Sequence, residues 1–356
     1  MDLTEKRVLI VKPSSLGDVV HTLPLVHALK RHYPSCFIGW IVQKAFQGIL
    51  RSDPAVDEII LISIPSTSDP HAARGAFIRA AWATLTTLRR LRKIFKDHPY
   101  DLVLDLHASF RSGLLGLTNP DGFRIGFRDA KELNTVFQHR LVGNNPDDRH
   151  AVDKNMAFAD YLGCFTGPED YRIVVDPAAR EQVTEFLEES GVRKGARIVY
   201  ANPAARWETK FWTVKAWAEF ADLLIEQTGA AVIFAGGPDD ASYIREIANR
   251  MKQQPIIAAG KLNLAEAVAL IEVADVYVGV DSGPMHIAAF AGTPVVALFG
   301  PTDPAKVGPY GEGHKVIRRS DLACLACRKR SCADRVCLEG MSAQEVFDAT
   351  KEVMGW

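Results

Sequence analysis

Short apolar runs rich in β-branched residues recur along this chain, and each is followed by a segment with helical periodicity. Such runs, bounded by Gly, Pro or Asp, are typical of strands buried on both faces of a parallel sheet, and the amphipathic segments supply crossover helices. The alternation predicts the α/β class with doubly wound sheets. The predicted strands are Val8–Val11, Phe37–Val42, Glu58–Ile62 and Asp101–Leu106 in a first series, then Arg197–Tyr200, Ala231–Ala235, Pro255–Ala258, Val276–Val280 and Pro294–Phe299 in a second.

The chain has 356 residues, which is more than one hydrophobic core normally serves, because single cores stop growing at roughly 250–300 residues. A content of 47% hydrophobic and 24% charged residues excludes a disordered or fibrous chain. We therefore expect two Rossmann-like domains that face each other across a cleft, where a site would lie. A proline-bearing turn and a helix with a glycine stop, within residues 174–194, predict domains 1–180 and 181–356.

Charge and hydropathy exclude some partners and locations. Lys and Arg total 42 against 43 Asp and Glu, so a net charge of −1 gives no global field typical of a nucleic-acid binder. The first segment, MDLTEKRVLIVK, has a short apolar run and no small-residue cleavage site, which indicates a strand and not a signal peptide. No stretch approaches the ~20 apolar residues that span a bilayer. These observations predict a cytoplasmic protein.

One predicted helix, from Ala76 to Lys96, is basic and amphipathic. Residues 74–96 include seven basic residues and no acidic one, while apolar residues recur at spacings of three and four. This pattern is typical of a membrane-surface element or of a dock for an acidic partner. The alternative is a surface helix whose neighbours supply the acidic residues. The apolar positions are Ile78, Trp82, Leu85, Leu88, Leu91 and Phe95, and the basic ones are Arg74, Arg79, Arg89, Arg90, Arg92, Lys93 and Lys96.

The loop after the first predicted strand, residues 12–18 with sequence KPSSLGD, is the first candidate site. Ligands of open α/β sheets bind outside the carboxyl ends of the strands, which is where this loop lies. It matches neither G-x-G-x-x-G nor the Walker spacing, so neither dinucleotide nor P-loop binding is indicated. Asp18 has two interpretations: an N-cap carboxylate that faces the helix dipole, or a general base.

Two loops in the second half of the chain suit a nucleotide. Arg206 and Lys210 lie four residues apart in a loop that opens a helix, where two cations beside free N–H groups favour a diphosphate. The alternative is that both are solvated loop charges. The loop 236–240, GGPDD, permits the close approach of a nucleoside, and a carboxylate there accepts hydrogen bonds from ribose hydroxyls.

A third loop of the second half, residues 278–286, ends a strand and begins a helix. Asp281, Ser282 and Gly283 would present their N–H groups at the start of this helix, which favours an anion. His286, near an apolar helix face, would ordinarily be a structural histidine.

Taken together, these loops resemble a known family. The segments SSLGDVVHTLP, ARWETKFW, DSGPMHIAA and FGPTDP, in this order, are similar to motifs of the ADP-heptose transferases of lipopolysaccharide core synthesis. These enzymes form glycosyltransferase family 9 and are inverting enzymes with the GT-B architecture. The resemblance extends from Val8 to about Val346. It implies transfer of heptose from ADP-L-glycero-D-manno-heptose to the inner core, and it leaves open whether Kdo or heptose is the acceptor.

The resemblance also implies roles for individual residues. Asp18 matches the proposed general base, and Lys210 matches the lysine that stabilises the diphosphate. Asp240 falls where the family has an acidic residue on the ribose, and Leu262 falls where an apolar side chain borders the adenine. His21 and Pro24 belong to the first motif as structural residues. The implied donor-binding residues are Arg206, Asp240, Leu262, Asp281, Ser282, Gly283 and His286, and the acceptor-binding residues are Arg111, Arg128 and Lys131.

The implied partners are ADP-heptose and an anionic lipid A that bears inner-core sugars, with peripheral contact at the inner face of the inner membrane and no nucleic acid. No cofactor or metal is predicted, because the sequence has no suitable D-x-D motif and because lysine and oriented N–H donors can stabilise a leaving diphosphate. Two alternatives remain: a related transferase that uses another nucleotide sugar and glycan, and a non-catalytic nucleotide-sugar binder.

Four of the six cysteines, Cys324, Cys327, Cys332 and Cys337, form a C-x-x-C-x4-C-x4-C cluster. The spacing is close enough for zinc, although its gaps differ from those of common zinc fingers. Reduced thiols or opportunistic disulfides are the alternative. The family resemblance implies that this cysteine-rich tail lies outside the chemistry.

Overall fold

A computed structural model describes residues 1–65, 75–143 and 149–356 of the chain. The chain divides into two compact units, Met1–Tyr171 and Arg172–Trp356. This division falls shortly before the predicted boundary at residue 180. The reason is that the helix Pro177–Glu189 packs on the helix Leu264–Val273 of the second unit, where Ile173 N also donates to Phe290 O at 3.0 Å.

The first unit contains one parallel sheet. Its described strands are β1 (Arg7–Val11), β2 (Phe37–Gln43), β3 (Glu58–Ile62), β4 (Leu102–Asp105), β5 (Phe123–Phe127) and β6 (Arg140–Val142). They lie in the order β3-β2-β1-β4-β5-β6, the doubly wound arrangement whose direction reverses between β1 and β4. Its helices are α1 (Leu16–Val20), α2 (Leu23–His32), α3 (Ala76–Asp97), α4 (Phe110–Gly116) and α5 (Ala151–Leu162), with 3-10 helices at Lys44–Ile49, Asn134–Phe137 and Pro168–Asp170.

The second unit repeats this arrangement. Its strands are β7 (Ile198–Asn202), β8 (Ala231–Phe234), β9 (Ile256–Ile257), β10 (Val276–Val280), β11 (Val295–Phe299) and β12 (Lys315–Arg318). The order β12-β11-β10-β7-β8-β9 reverses between β7 and β10. The helices are α6 (Pro177–Glu189), α7 (Val214–Thr228), α8 (Ala241–Ala248), α9 (Leu264–Val273), α10 (Gly283–Ala291), α11 (Pro304–Val307), α12 (Val336–Glu339) and α13 (Ala343–Met354), with 3-10 helices at Glu208–Lys210 and Pro238–Asp240.

The predicted α/β class with two doubly wound domains is confirmed. All nine predicted strands correspond to observed ones, namely β1–β4 and β7–β11. The strands β5, β6 and β12 were not predicted, and they lie toward the outer edges of the two sheets.

Each unit has its own apolar core against its sheet. In the first unit, α3 contributes Leu91 and Phe95, which pack with Tyr100 and the inner strands. In the second unit, α7 buries Trp217 and Phe220 against β7 and β8, together with Trp212 from the preceding loop. These positions are fully shielded from solvent, so hydrophobic burial holds the strand ends that carry the loops in place.

The helix α3 only partly matches its prediction. The described range and the amphipathic character agree, and Leu91 and Phe95 are buried. The other end of the predicted apolar stripe is exposed, with Ile78 at 63% and Trp82 at 61%. The basic residue Arg74 lies outside the described residues. Within the described ranges, no helix combines the length and hydropathy needed to cross a membrane.

Candidate functional site

The loops at the centre of the first sheet bring together the predicted base and two unpredicted residues. β1 and β4 are parallel neighbours with Val11 opposite Asp105, and the strand order reverses at this pair. Ligands of doubly wound sheets bind at such a reversal, outside the carboxyl ends of the strands. The loop after β1 carries Lys12 and Asp18, and the loop after β4 carries His107.

Asp18 is the third residue of α1, and its side chain is 44% exposed. Its Oδ2 accepts hydrogen bonds from the backbone N–H of Ser15 at 2.9 Å and from Ser15 Oγ at 2.7 Å. Its Oδ1 lies 3.4 Å from Nζ of Lys12. The carboxylate therefore serves as the acidic member of a capping box, and it also stays accessible to solvent on its partly exposed side.

Lys12 is a buried cation behind this carboxylate. Only 7% of the residue is exposed, and its Nζ donates to Leu106 O at 2.6 Å. Removal of water around Asp18 raises the pKa of its carboxyl, but the Lys12 charge and the Ser15 hydrogen bonds outweigh this effect and hold that pKa well below its usual range. Asp18 is therefore ionised at neutral pH and free of a proton of its own.

His107 is a half-buried side chain in the same cluster, and it was missed by the sequence analysis. Burial, and then the charge of Lys12, lower the pKa of its imidazole, while Asp18 acts in the opposite direction. His107 is thus neutral at pH 7. The signal that could have found it is its position directly after the buried strand β4.

A buried carboxylate, that of Asp105, fixes the loop that carries His107. Asp105 is 1% exposed. Its Oδ1 accepts from the N–H groups of His107 and Ala108, each at 3.1 Å. Its Oδ2 accepts from Ser112 Oγ at 3.0 Å and from Asn134 Nδ2 at 2.6 Å. These donors satisfy the buried charge and hold Ala108 at a left-handed φ of 59°.

The three predicted acceptor-binding residues lie on neighbouring parts of the first unit. Arg111 is half-buried in the first turn of α4, next to the loop that Asp105 fixes. Arg128 and Lys131 are exposed in the segment after β5. The 3-10 helix Asn134–Phe137, which follows that segment, packs on α4.

At the corresponding reversal of the second sheet, Lys210 and Asp281 form an ion pair. Nζ of Lys210 lies 2.6 Å from Oδ2 of Asp281 and 3.3 Å from its backbone oxygen. The Asp281 side chain is 6% exposed and that of Lys210 is 15% exposed. Lys210 follows β7 and Asp281 follows β10, so the adjacency of these two strands explains a contact between residues 71 positions apart.

Two further side chains form hydrogen bonds beside this ion pair. Thr302, 6% exposed, donates its hydroxyl to Oδ2 of Asp281 and was not predicted. Asn202 donates to Oγ of Ser282 at 2.8 Å. Because the Ser282 side chain does not cap α10, the first N–H groups of that helix, beginning at Gly283, are not satisfied by it.

The remaining predicted donor-binding residues lie in different loops of the second unit and in α10. His286 is buried within α10, and Arg206 is exposed in the loop after β7. Asp240 is half-buried; burial raises the pKa of its carboxyl, and its Oδ2 accepts from Gly237 N at 2.8 Å. Leu262 is half-buried after β9. These loops all follow the carboxyl ends of strands in the second sheet.

The cysteine cluster does not form a metal centre. Across residues 1–65, 75–143 and 149–356, no group of three or more His, Cys, Asp or Glu side chains is arranged to hold a metal ion. Cys324, Cys327 and Cys332 are exposed free thiols, and Cys337 is half-buried. Burial raises the pKa of the Cys337 thiol.

The chemistry available in each unit is distinct. The first unit offers an ionised carboxylate and a neutral imidazole, groups that can accept a proton from a hydroxyl. The second unit offers a lysine cation beside the N-terminus of α10, groups that stabilise an anion.

A model of glycosyltransferase family 9 (heptosyltransferase) matches residues 88–337. The chain belongs to this family. Lys210, Asp281 and Thr302 lie inside the matched range, and Asp18 precedes it. The predicted membership of this family and the predicted enzyme class, a glycosyltransferase, are thereby confirmed.

Individual relatives agree with the family. Lipopolysaccharide core heptosyltransferase OpsX of Haemophilus influenzae is 29% identical over 316 residues, which cover 88% of this chain and 84% of that protein. Lipopolysaccharide heptosyltransferase 1 of Pseudomonas aeruginosa is 29% identical over 97% of this chain and 92% of its own length.

Solved structures share the fold over nearly the whole chain. A glycosyl transferase family 9 structure from Veillonella parvula has a TM-score of 0.83 at 23% identity and covers 99% of this chain and 98% of that one. E. coli heptosyltransferase WaaC with ADP has a TM-score of 0.73 at 24% identity, with 98% and 99% covered. The predicted GT-B type of fold is confirmed by these likenesses.

Proposed function

We propose that this family 9 chain transfers heptose from ADP-L-glycero-D-manno-heptose to Kdo or heptose of the lipopolysaccharide inner core, with inversion and without a metal. The observation that carries the proposal is the Lys210–Asp281 ion pair at the start of α10, in a chain of this family. The names of the relatives, which are lipopolysaccharide heptosyltransferases, support the same donor and acceptor classes.

Asp18 acts as the general base in this proposal. Its carboxylate takes the proton from an acceptor hydroxyl while the hydroxyl oxygen attacks the anomeric carbon of the donor from the face opposite the ADP. The low pKa of Asp18 keeps the carboxylate ionised and ready, although it makes the group a weak base. Proton transfer is therefore favoured late, when the attacking oxygen has already become acidic through bond formation.

Lys210 stabilises the leaving diphosphate. Negative charge grows on the diphosphate as the glycosidic bond breaks, and a fixed cation beside helix N–H donors stabilises that charge more than it stabilises the intact donor. Asp281 orients the lysine through the 2.6 Å contact. In the proposal Arg206, Ser282, Gly283 and His286 bind the donor phosphates, Asp240 and Leu262 bind the ribose and adenine, and Arg111, Arg128 and Lys131 bind the anionic acceptor.

The proposal is tested with purified enzyme, ADP-heptose and a set of truncated cores, with the product identified by mass. Asp18→Asn, which keeps the shape of the side chain, should lower kcat at least about 100-fold while ADP affinity stays unchanged. Lys210→Ala should weaken both ADP binding and turnover. If the purified enzyme formed no heptosylated product, or if UDP or GDP bound with the same affinity as ADP, the assigned donor would be contradicted.

The inner membrane surface is the proposed place of action, and α3 is the proposed contact. One face of α3 is formed by residues at helical spacing, namely 78, 82, 85, 89, 92, 93 and 96. That face is exposed throughout, with Ile78, Trp82 and Leu85 in its first half and Arg89, Arg92, Lys93 and Lys96 in its second. Apolar and cationic side chains on one exposed face suit an interface of acyl chains and anionic headgroups.

A second exposed apolar pair lies on the same unit. Leu133 and Val136 are each 70% exposed, and Leu133 is held at a left-handed φ of 60°. Asn134 between them is fully buried and donates to the Asp105 carboxylate, so this hydrogen bond fixes the turn to the core of the unit. Arg128 and Lys131 precede this turn, which supports a role in holding an anionic lipid acceptor.

Vesicle flotation tests this contact. The protein should bind vesicles that contain phosphatidylglycerol more strongly than vesicles of phosphatidylcholine alone, and Trp82→Glu should weaken that binding. Phe165→Glu is the matched control, because Phe165 is 77% exposed but lies outside α3 and the turn at residues 133–136. Equal binding of the Trp82→Glu variant and the wild type would contradict the role of α3.

A further inference from the structure

The cysteine-rich loop, defined as residues 322–335, packs directly on the loop that carries Lys210. Thr209, which is 3% exposed, donates its hydroxyl to Lys329 O at 2.8 Å. Arg335 donates to Glu208 O at 3.3 Å. The segment that the family resemblance places outside the chemistry is therefore a direct neighbour of the diphosphate-stabilising lysine.

The same loop also contacts the segment that carries Thr302. Arg328 N donates to Pro301 O at 2.8 Å. Gly300 leaves no room for a Cβ, because such an atom would overlap Cδ2 of Leu338 and lie 2.9 Å from Sγ of Cys337, both just beyond the loop. Arg328 itself has a left-handed φ of 55°, a conformation that a non-glycine residue keeps only where its surroundings hold it. Contacts on both sides thus fix the residues that precede Arg330.

Arg330 and Lys210 lie against the same aromatic ring. The guanidinium carbon of Arg330 is 5.0 Å from the centroid of a Trp207 ring, and Nζ of Lys210 is 4.8 Å from it. Each cation is therefore held by attraction to the indole of the same tryptophan. Two cations that are positioned by one tryptophan favour an anion as the group that they bind.

The charge balance around Lys210 favours a further cation besides Arg206, which the proposed function already assigns to the donor phosphates. The carboxylate of Asp281 already faces Lys210 at 2.6 Å, so the pair alone carries no net charge. A diphosphate that leaves with more than one negative charge needs further positive charge to be stabilised. Arginine suits this task, since its planar guanidinium donates two parallel hydrogen bonds to phosphate oxygens.

We propose that Arg330 of the cysteine-rich loop binds the diphosphate of the nucleotide donor together with Lys210, and that Trp207 positions both cations. This inference rests on the proposed function, because it takes a nucleoside diphosphate as the ligand. It assigns a ligand-binding role to a loop whose cysteines, within the described residues, do not belong to a group of side chains that could hold a metal ion.

Titration calorimetry with ADP and with adenosine tests the proposal. Arg330→Gln should weaken ADP binding about 10- to 100-fold, the range for losing a hydrogen bond to a charged group, and should change adenosine binding less than about twofold. Arg330→Lys should recover part of the ADP affinity. Lys329→Gln is the control, since this exposed neighbour uses its backbone oxygen for the contact with Thr209 and should bind ADP like the wild type.

The outcomes separate this inference from the proposed function. Unchanged ADP affinity in Arg330→Gln, or an equal loss for ADP and adenosine, would show that Arg330 only supports the loop, and would overturn the inference. If the wild type bound UDP or GDP in place of ADP, the assigned donor would fail. The same variants measured with that diphosphate would then still decide the role of Arg330.

Discussion

The Lys12 ammonium lies 3.4 Å from Oδ1 of Asp18 and 2.6 Å from the carbonyl oxygen of Leu106. One buried cation thus joins the loop after β1 to the loop after β4. It also sets the electrostatic state of the proposed base, because its charge is the largest of the effects that lower the pKa of Asp18. This relationship can be tested by its effect on the pH dependence of turnover.

Replacing Lys12 with methionine should make kcat/KM fall at acidic pH. In the wild type the pKa of Asp18 lies below its usual range, so the carboxylate stays ionised and kcat/KM should not fall through its protonation above about pH 5. Without the cation that pKa rises, and kcat/KM should drop about tenfold more between pH 8 and pH 5 than in the wild type. Lys44→Met, at an exposed lysine, is the control; identical profiles would refute the effect.

His107 should make stability depend on pH. Burial and the Lys12 charge lower the pKa of the imidazole in the folded protein below the unfolded value of about 6.5. The unfolded chain therefore binds more protons below pH 6.5, and folding stability falls as the pH falls from about 6.5 toward the folded pKa. His107→Gln should show a smaller drop in Tm between pH 7.5 and 5.5. Parallel curves for both proteins would contradict this.

The Thr302 hydroxyl should matter for donor binding through Asp281. It donates to the same oxygen that receives Lys210, so its loss leaves the carboxylate less firmly oriented. Thr302→Val should raise the KM for the donor roughly 10-fold, as expected for removing a hydrogen bond to a buried charge. Thr302→Ser keeps the hydroxyl and should behave like the wild type. A serine variant as impaired as the valine variant would point to packing instead.

Asp105 should be a strong determinant of stability in the first unit. An Asp105→Asn substitution removes the charge and replaces one acceptor oxygen with an amide donor. If the remaining oxygen keeps the N–H groups of His107 and Ala108, the new NH2 faces the Ser112 hydroxyl and the Asn134 amide, which lose their acceptor. We expect a loss of about 2–4 kcal/mol in the free energy of unfolding, measured by urea denaturation. Asp129→Asn, at an exposed carboxylate, should change it little. A stable Asp105→Asn protein would show that water satisfies those donors.

The inner part of each sheet was predictable because its strands are buried on both faces. Every residue of β10, and every residue of β1 after Arg7, is buried, so both strands read as apolar runs. The edge strands β3 and β9 were also predicted, from short apolar runs, although they are only partly buried. The missed strands β6 and β12 lack this signal, since β6 buries only Val142 and β12 buries only Ile317. Their positions follow from pairing with a neighbour, which a local pattern does not reveal.

The candidate site also has a part that the sequence predicts and a part that it does not. Asp18 and Lys210 lie in loops with recognisable motifs, so their importance was predicted, whereas the contacts that tune them were not. Lys12 reaches a carbonyl 94 positions away, and Arg330 shares a ring with a lysine from another loop. Such contacts depend on which strands become neighbours and on how a long irregular segment folds back. Neither is encoded in spacing along the chain.

The exposed face of α3 has a direction as well as a composition. The helix is 22 residues long, or about 33 Å at 1.5 Å per residue. On its exposed face Ile78, Trp82 and Leu85 precede a group of four cations, Arg89, Arg92, Lys93 and Lys96, and only Arg79 lies among the first turns. An even stripe would let a helix lie flat on a bilayer with either end leading. If α3 contacts a bilayer as proposed, we expect this order of side chains to place the first turns among acyl chains and the last turns at the headgroups, which would set a single tilt of the helix.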